Sequence, residues 1–269
     1  VSRDSDGRWY VTFAVDTDLP EPLDAVGHAI GVDLGVKDFA VTPDGERVAN
    51  PRHLERKAKN LARYQRRMAR CQKGSMNRRK AKAKIARAHR KVRNARQDFL
   101  HRTTTHLVRN ADTLVIEDLN VKGAMASASG TVNQPGTNVA QKRGLNRSIA
   151  DAGWGEFRRQ LEYKCQRYGR RLVVIDRWYP SSKTCSNCGH LLAELPLSTR
   201  HWVCPDCRTR HDRDINAAKN ILAAGRAVAR DAGDVCGAGV SRQGSSLPQL
   251  ATKQKVPRSD PGRASGERP

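Results

Sequence analysis

Two Cys-x-x-Cys pairs, Cys185-Ser-Asn-Cys188 and Cys204-Pro-Asp-Cys207, lie fifteen residues apart. Four thiolates at that interval can surround one Zn²⁺ tetrahedrally at roughly 2.3 Å, the arrangement of a structural zinc ribbon. A closed four-sulfur shell leaves no coordination position for substrate, so such a zinc holds structure and performs no hydrolysis. Redox catalysis would need a single pair beside a βαβ unit. Cys71, Cys165 and Cys236 fall outside the pattern. His190, His201 and His211 surround the ribbon and are alternative ligands in principle; with four cysteines at hand they read as surface or nucleic-acid contacts.

Charge narrows the partners. The chain has 50 Lys and Arg against 27 Asp and Glu, a net +23, and this favours a polyanion such as nucleic acid over a neutral surface. The surplus is concentrated. Between Arg52 and Arg102 there are 20 basic residues and two acids, Glu55 and Asp98. In the same stretch Leu54, Leu61 and Met68 repeat every seven residues, and Ala81, Ile85, Ala88, Val92, Ala95 and Phe99 follow steps of four and three. With the Lys73-Gly74-Ser75 turn between them, these stripes predict an antiparallel helical hairpin whose charge needs phosphates to screen it. No apolar run long enough for a membrane span is present, and no secretion signal opens the chain, which fits a cytoplasmic protein.

Strands are expected at Arg8–Val15, Ala29–Gly35, Phe39–Thr42, Arg47–Ala49, Thr113–Leu119 and Arg171–Asp176, the three after Arg8–Val15 as an antiparallel meander. The Pro- and Asp-rich stretch Asp16–Asp24 reads as a boundary, so the strand before it reads as the end of another module. The first residue, Val1, fits a fragment or a start codon read literally. Lys122–Arg147 is expected as a flexible loop, Ile149–Tyr168 as one helix ended by Gly169, and Ile215–Ala224 as a short helix.

Three carboxylates occupy unusual positions. Asp33 lies in a strand between apolar residues and glycines, where a lone carboxylate is costly without a cation or hydrogen bonds. Gly31 and Gly35 beside it are expected to let a phosphate backbone approach. Glu117 ends an apolar strand, and Asp118 should face the opposite way as a turn residue. Asp214 opens the last helix, where an N-cap alone would explain it.

Gly31-Val-Asp33-Leu-Gly35, Ile116-Glu117-Asp118-Leu119, Tyr179-Pro-Ser-Ser-Lys-Thr-Cys185, Cys204-Pro-Asp-Cys207 and His211-Asp-Arg-Asp214-Ile-Asn-Ala-Ala218 occur in that order. Together they resemble the TnpB/OrfB family of insertion-sequence proteins, relatives of type V CRISPR effectors, over roughly residues 29–225. The resemblance implies an α/β, RNase H-like (RuvC) domain with an inserted basic helical hairpin and an inserted Cys₄ zinc ribbon. It implies Asp33, Glu117 and Asp214 as a catalytic triad binding Mg²⁺ or Mn²⁺, and Cys185, Cys188, Cys204 and Cys207 as ligands of structural zinc. The domains it suggests are 1–24, the end of a largely missing N-terminal β module plus linker; 25–50, 111–180 and 211–228, the three RuvC parts; 51–110, the hairpin; 181–210, the ribbon; and 229–269, a disordered tail. The implied function is a transposon-encoded, metal-dependent DNA endonuclease guided by RNA, of the kind labelled transposase in DNA recombination. Its partners would be DNA and a guide RNA, with no membrane. Two alternatives stay open: a nucleic-acid-binding protein without nuclease activity, and a transposase that also joins strands.

Overall fold

The computed structural model describes residues 1–16 and 21–234. Strands β1 (Ser2–Arg3) and β2 (Trp9–Tyr10) pair with each other as a small ribbon. The strand expected from Arg8 to Val15 is therefore cut to two residues. Val11, Phe13 and Val15 alternate as a strand would, but with no neighbouring edge to pair with they stay exposed and irregular. The ribbon is tied to the helical hairpin by ion pairs from Asp6 to Arg90 (2.5 Å) and from Asp4 to Arg93 (2.6 Å).

The central sheet is built from β3 (Ala29–Leu34), β4 (Asp38–Val41), β5 (Arg47–Ala49), β6 (Thr113–Glu117) and β7 (Arg171–Ile175), in the order β5-β4-β3-β6-β7. The first three form the expected antiparallel meander. β3, β6 and β7 run parallel, with Val32 opposite Ile116 and Glu117 opposite Ile175. Between β5 and β6 come α1 (His53–Arg70) and α2 (Met76–Asn110). Their turn uses Gly74 at φ +84°, and Arg78 Nη1 donates to the Met68 carbonyl at 2.9 Å, closing the end of α1. Leu61, Ala81 and Val92 from the predicted stripes are buried along the hairpin.

The segment expected as a loop after β6 contains helices. α3 (Val121–Ala124) is one turn, and α4 (Val139–Ala152) starts well before Arg147. Gly144 and the polar Asn146 hide α4 from propensity, and tertiary contacts supply what propensity lacks: Asn146 Nδ2 donates to the Met125 carbonyl at 2.7 Å, and Ile149 and Ala152 are buried. The single helix expected over Ile149–Tyr168 is two, because Gly153 at φ +74° ends α4 and begins α5 (Trp154–Arg167) at an angle. β8 (His201–Val203) and β9 (Arg210–Asp212) form a hairpin whose connection carries Cys204 and Cys207. α6 (Arg213–Asp234) extends ten residues past the expected end at Ala224; the rest of the predicted tail, with Cys236, lies outside the described residues.

Alternation along the strands sorts the two faces. Val32, Leu114 and Ile116 join Leu100, Leu107, Phe157 and Leu161 of α2 and α5 in the main core. Val115, Val173 and Ile175 point the other way and pack with Ile221 of α6. The same alternation puts Gly31, Asp33 and Glu117 on the α6 face. A Cβ at Gly31 would lie 2.4 Å from the Ala218 carbonyl, and one at Gly225 would lie 2.4 Å from Val115. These glycines let helix and sheet touch backbone to side chain. The space beside Gly31 is thus filled by α6, and a Cβ at Gly35 would lie 2.8 Å from the Asp38 carbonyl. Neither leaves room for a phosphate backbone, contrary to the expectation from sequence. No described helix is long and apolar enough to cross a membrane.

Candidate active site and thiol cluster

Asp33 and Glu117 emerge from neighbouring parallel strands, each one residue beyond the paired Val32 and Ile116. Asp214 lies one turn before Ala218, the residue seated on Gly31. The three acids are near enough to act on one another. Burial, then the charges of Glu117 and Asp214, push the Asp33 carboxyl up to about 7, against weaker opposing pulls from Arg213 and Arg200. Burial also raises Glu117, and the Ser181 hydroxyl, donating to Oε1 at 2.6 Å, partly offsets it. The carboxylates are spaced more openly than the thiols described below. Among the described residues only the four thiols come within 4.8 Å of one another, close enough for a single ion, and the three carboxylates do not.

Asp214 faces two guanidinium groups, Arg47 and Arg200, both at 3.5 Å. Arg47 also pairs with Asp38 at 2.7 Å and Asp212 at 2.8 Å. The helix cap that sequence offered for Asp214 is supplied by Asp212, whose Oδ1 accepts from the N–H groups of Asp214 and Ile215, both at 3.1 Å. This leaves the Asp214 carboxylate free of the backbone. Asp118 faces away from Glu117, as expected, and is held by Arg158 (2.5 Å) and Arg177.

Ser181 carries no individual signal in the sequence. Its loop is held from below by two buried asparagines one turn apart on α6. Asn220 Nδ2 donates to the carbonyls of Ser181 at 2.7 Å and Thr184 at 2.6 Å, and Asn216 Nδ2 to that of Thr184 at 2.7 Å. Asn216 Oδ1 accepts from Ser186 N at 2.9 Å. One helix thus carries Asp214 and also fixes the loop that carries Glu117's partner. The spacing of the asparagines, four residues apart in Ile215-Asn-Ala-Ala-Lys-Asn220, was the available signal.

The same loop leads into the cysteines. The Sγ atoms of Cys185, Cys188, Cys204 and Cys207 all lie within 4.8 Å of one another, with Cys185–Cys207 and Cys188–Cys204 at 3.6 Å. Sulfurs of a tetrahedral Zn²⁺ site stand about 3.8 Å apart, so the residues fit a structural zinc. His211 does not reach the surface as expected: it is buried against Trp202, ring centroids 4.6 Å apart, with Nε2 3.0 Å from Cys185 Sγ. It supports a thiol from outside the set of four. His201 remains exposed.

The fold is mixed α/β, with Asp33 and Glu117 at the ends of two adjacent inner strands of a mixed sheet and a four-thiol cluster in the segment between β7 and α6. A family profile described as "Probable transposase" (OrfB_IS605) matches residues 12–128, and one described as "Cas12f1-like, TNB domain" matches residues 154–221. The chain is 44% identical over 264 residues to a Streptomyces pristinaespiralis protein named "Putative RNA-guided DNA endonuclease", covering 97% of this chain and 60% of that one. It is 40% identical over 222 residues to "Putative RNA-guided DNA endonuclease InsQ" of Escherichia coli (strain K12), covering 82% and 55%. A chain of the "Cryo-EM structure of the Cas12f1-sgRNA-target DNA complex" superposes with TM-score 0.47 at 21% identity, over 76% of this chain and 40% of that one. The chain belongs to the TnpB/OrfB family of insertion-sequence proteins. It spans about 60% of the length of the Streptomyces relative.

Proposed function

We propose that the chain carries the nuclease site of a transposon-encoded, RNA-guided DNA endonuclease, and that Asp33, Glu117 and Asp214 hold divalent metal there. The observation that carries this reading is the placement of the three acids: adjacent parallel strands present Asp33 and Glu117 on the face covered by α6, whose first turn carries Asp214, and Asp33, raised first by burial, is raised further by both other carboxylates. A protein gains nothing in stability from such a grouping, whereas hard Mg²⁺ or Mn²⁺ prefers carboxylate oxygens. When bound, these ions supply Lewis acidity for the attacking water and the departing 3′ oxygen of a phosphodiester.

The chain's own residues perform the rest. Ser181 occupies one lone pair of Glu117 and so fixes the direction of the other oxygen. Arg47 and Arg200 steady Asp214 at longer range, and their charge favours an incoming phosphate. The four thiols with zinc tie β8 and β9 together immediately before α6, which fixes where Asp214 begins.

In this reading residues 25–50, 111–180 and 211–228 compose an RNase H-like (RuvC) domain, supported by the mixed sheet with helices on both faces. Residues 51–110 are its basic inserted hairpin, 181–210 its zinc ribbon, and 1–24 the end of an N-terminal β module. The hairpin grips phosphates of DNA and guide RNA, while base pairing reads the sequence. The test is cleavage of DNA by the chain with its copurifying RNA, with and without Mg²⁺ or Mn²⁺, beside Asp33→Asn. Metal-dependent cutting lost in the variant supports the reading; equal cutting by both overturns it.

A further inference from the structure

We propose that Trp178 is a stacking platform that seats one unpaired base beside the carboxylate cluster. This rests on the reading above that the cluster works on nucleic acid.

The four tryptophans differ sharply in surroundings. Trp202 is buried against His211, Trp154 packs on the main core, and Trp9, 65% exposed, has the guanidinium of Arg3 over its ring at 5.1 Å. Trp178 is 84% exposed. Leaving an indole open forgoes more hydrophobic stabilisation than any other side chain would, and a mobile loop could fold it away. This loop is not free to do so. Asp176 Oδ1 accepts from Trp178 N at 2.7 Å, Tyr179 N donates to the Asp176 carbonyl at 3.2 Å, and Tyr179 packs beneath on the Val115 cluster. Arg177, the preceding residue, is anchored on Asp118. The turn holds the ring outward.

Both ends of the loop meet Glu117. Ile175 is its strand partner, and Ser181 donates to its carboxylate. Trp178 stands midway between these two residues along the chain. A base stacked on it would sit on the loop that runs from Glu117's strand partner to Glu117's hydrogen-bond donor, with Arg177 and Lys183 on either side in sequence. Exposed aromatics interleaved with cations along a phosphate path are how proteins hold single strands without reading sequence.

The test uses the full chain, Ca²⁺ in place of Mg²⁺ to prevent cutting, and single-stranded DNA or RNA carrying 2-aminopurine. Trp178→Ala should weaken binding about five- to a hundredfold and remove the quenching of the probe, while Trp178→Phe keeps both within about threefold. Because stacking is not ionic, the deficit should persist unchanged at high salt. A deficit confined to the DNA or the RNA arm names the strand that occupies the platform. Unchanged binding and quenching in the alanine variant overturn the proposal, and so does an equal loss in the phenylalanine variant. A wild-type chain that quenches the probe yet never cuts DNA with Mg²⁺ sinks the nuclease reading alone; cutting without any Trp178 effect sinks only the platform.

Discussion

Asp33 and Glu117 stand side by side at the ends of two parallel strands, each one residue past the Val32–Ile116 pair. In-register parallel strands direct partnered side chains to the same face, so the two acids are brought together by the sheet itself and not by a loop. Alternation places both on the side covered by α6, where Asp214 begins the helix. Residues 84 positions apart in sequence, 117 less 33, are thereby fixed as neighbours by backbone hydrogen bonding.

The elevated Asp33 makes stability depend on pH. Its carboxyl rises from the ordinary 3.8 to about 7, through burial first and then Glu117 and Asp214. A group whose pKa is raised by folding contributes stability that is whole below the unfolded value and is lost as pH climbs through the folded one. The window is therefore pH 3.8 to about 7, with a loss of up to roughly 4 kcal/mol. Without divalent ions, Asp33→Asn should melt at a higher temperature than wild type at pH 8, and the difference should vanish near pH 4, close to the ordinary carboxyl value of 3.8. Thermal unfolding across pH checks it. Adding Mn²⁺ at pH 8 should raise the wild-type midpoint and leave that of Asp33→Asn unmoved.

Ser181→Ala removes the donor that offsets the rise of Glu117. Glu117 then titrates higher, so the rising limb of metal-dependent cleavage against pH moves to higher pH. Affinity for Mn²⁺ falls about tenfold to a hundredfold, the usual cost of losing an outer hydrogen bond to a metal ligand. A pH–rate profile and an Mn²⁺ titration measure both. Ser181→Thr, which keeps the hydroxyl, should restore part of each.

Loss of zinc should disorder the start of α6. Cys204→Ser breaks the thiol set, and β8–β9 then has only its three paired positions to hold Asp212, the residue that caps Asp214. The variant should bind less than one zinc per chain by elemental analysis, melt lower by several degrees, and lose cleavage although all three acids remain.

Gly31→Ala tests how helix and sheet meet. Its Cβ would fall 2.4 Å from the Ala218 carbonyl and 2.6 Å from Leu222 N, both backbone atoms that cannot swing aside. Overpacking of this kind costs about 1–3 kcal/mol or more. Denaturant unfolding should show that loss, together with weakened Mn²⁺ binding as Asp214 moves with α6.

Much of this was legible in sequence for a simple reason: periodic and closely spaced signals need no tertiary knowledge. The heptad stripes from Leu54 to Phe99 mark the hairpin, and the cysteine spacing marks the thiol cluster. What escaped depended on distant partners. α4 is a poor helix locally and is held by carbonyls twenty-one residues earlier at Met125. Asp212 and Asp214 are equally good caps by type, and only hydrogen-bond geometry assigns the cap to Asp212 and frees Asp214. Gly31 looked like space for a ligand because sequence does not say that α6 fills it. The helix break at Gly153 needed a backbone angle, φ +74°.

The hairpin's charge should show in ionic strength. Nucleic-acid binding by the chain should weaken about a thousandfold or more between roughly 50 and 200 mM salt if six or more phosphates are neutralised. Replacing Lys84, Arg87 and Lys91 on α2 by Gln should reduce the slope of affinity against salt by about three, one for each cation removed from a phosphate.

The central claim is that Asp33, Glu117 and Asp214 form one divalent-cation site, and crystals grown with Mn²⁺ test it most directly. Anomalous density should appear between the three carboxylates, with oxygens at about 2.1–2.2 Å, and should be absent in Asp33→Asn. Manganese found elsewhere, or none at these residues at millimolar concentration while the carboxylates stay apart, would contradict it.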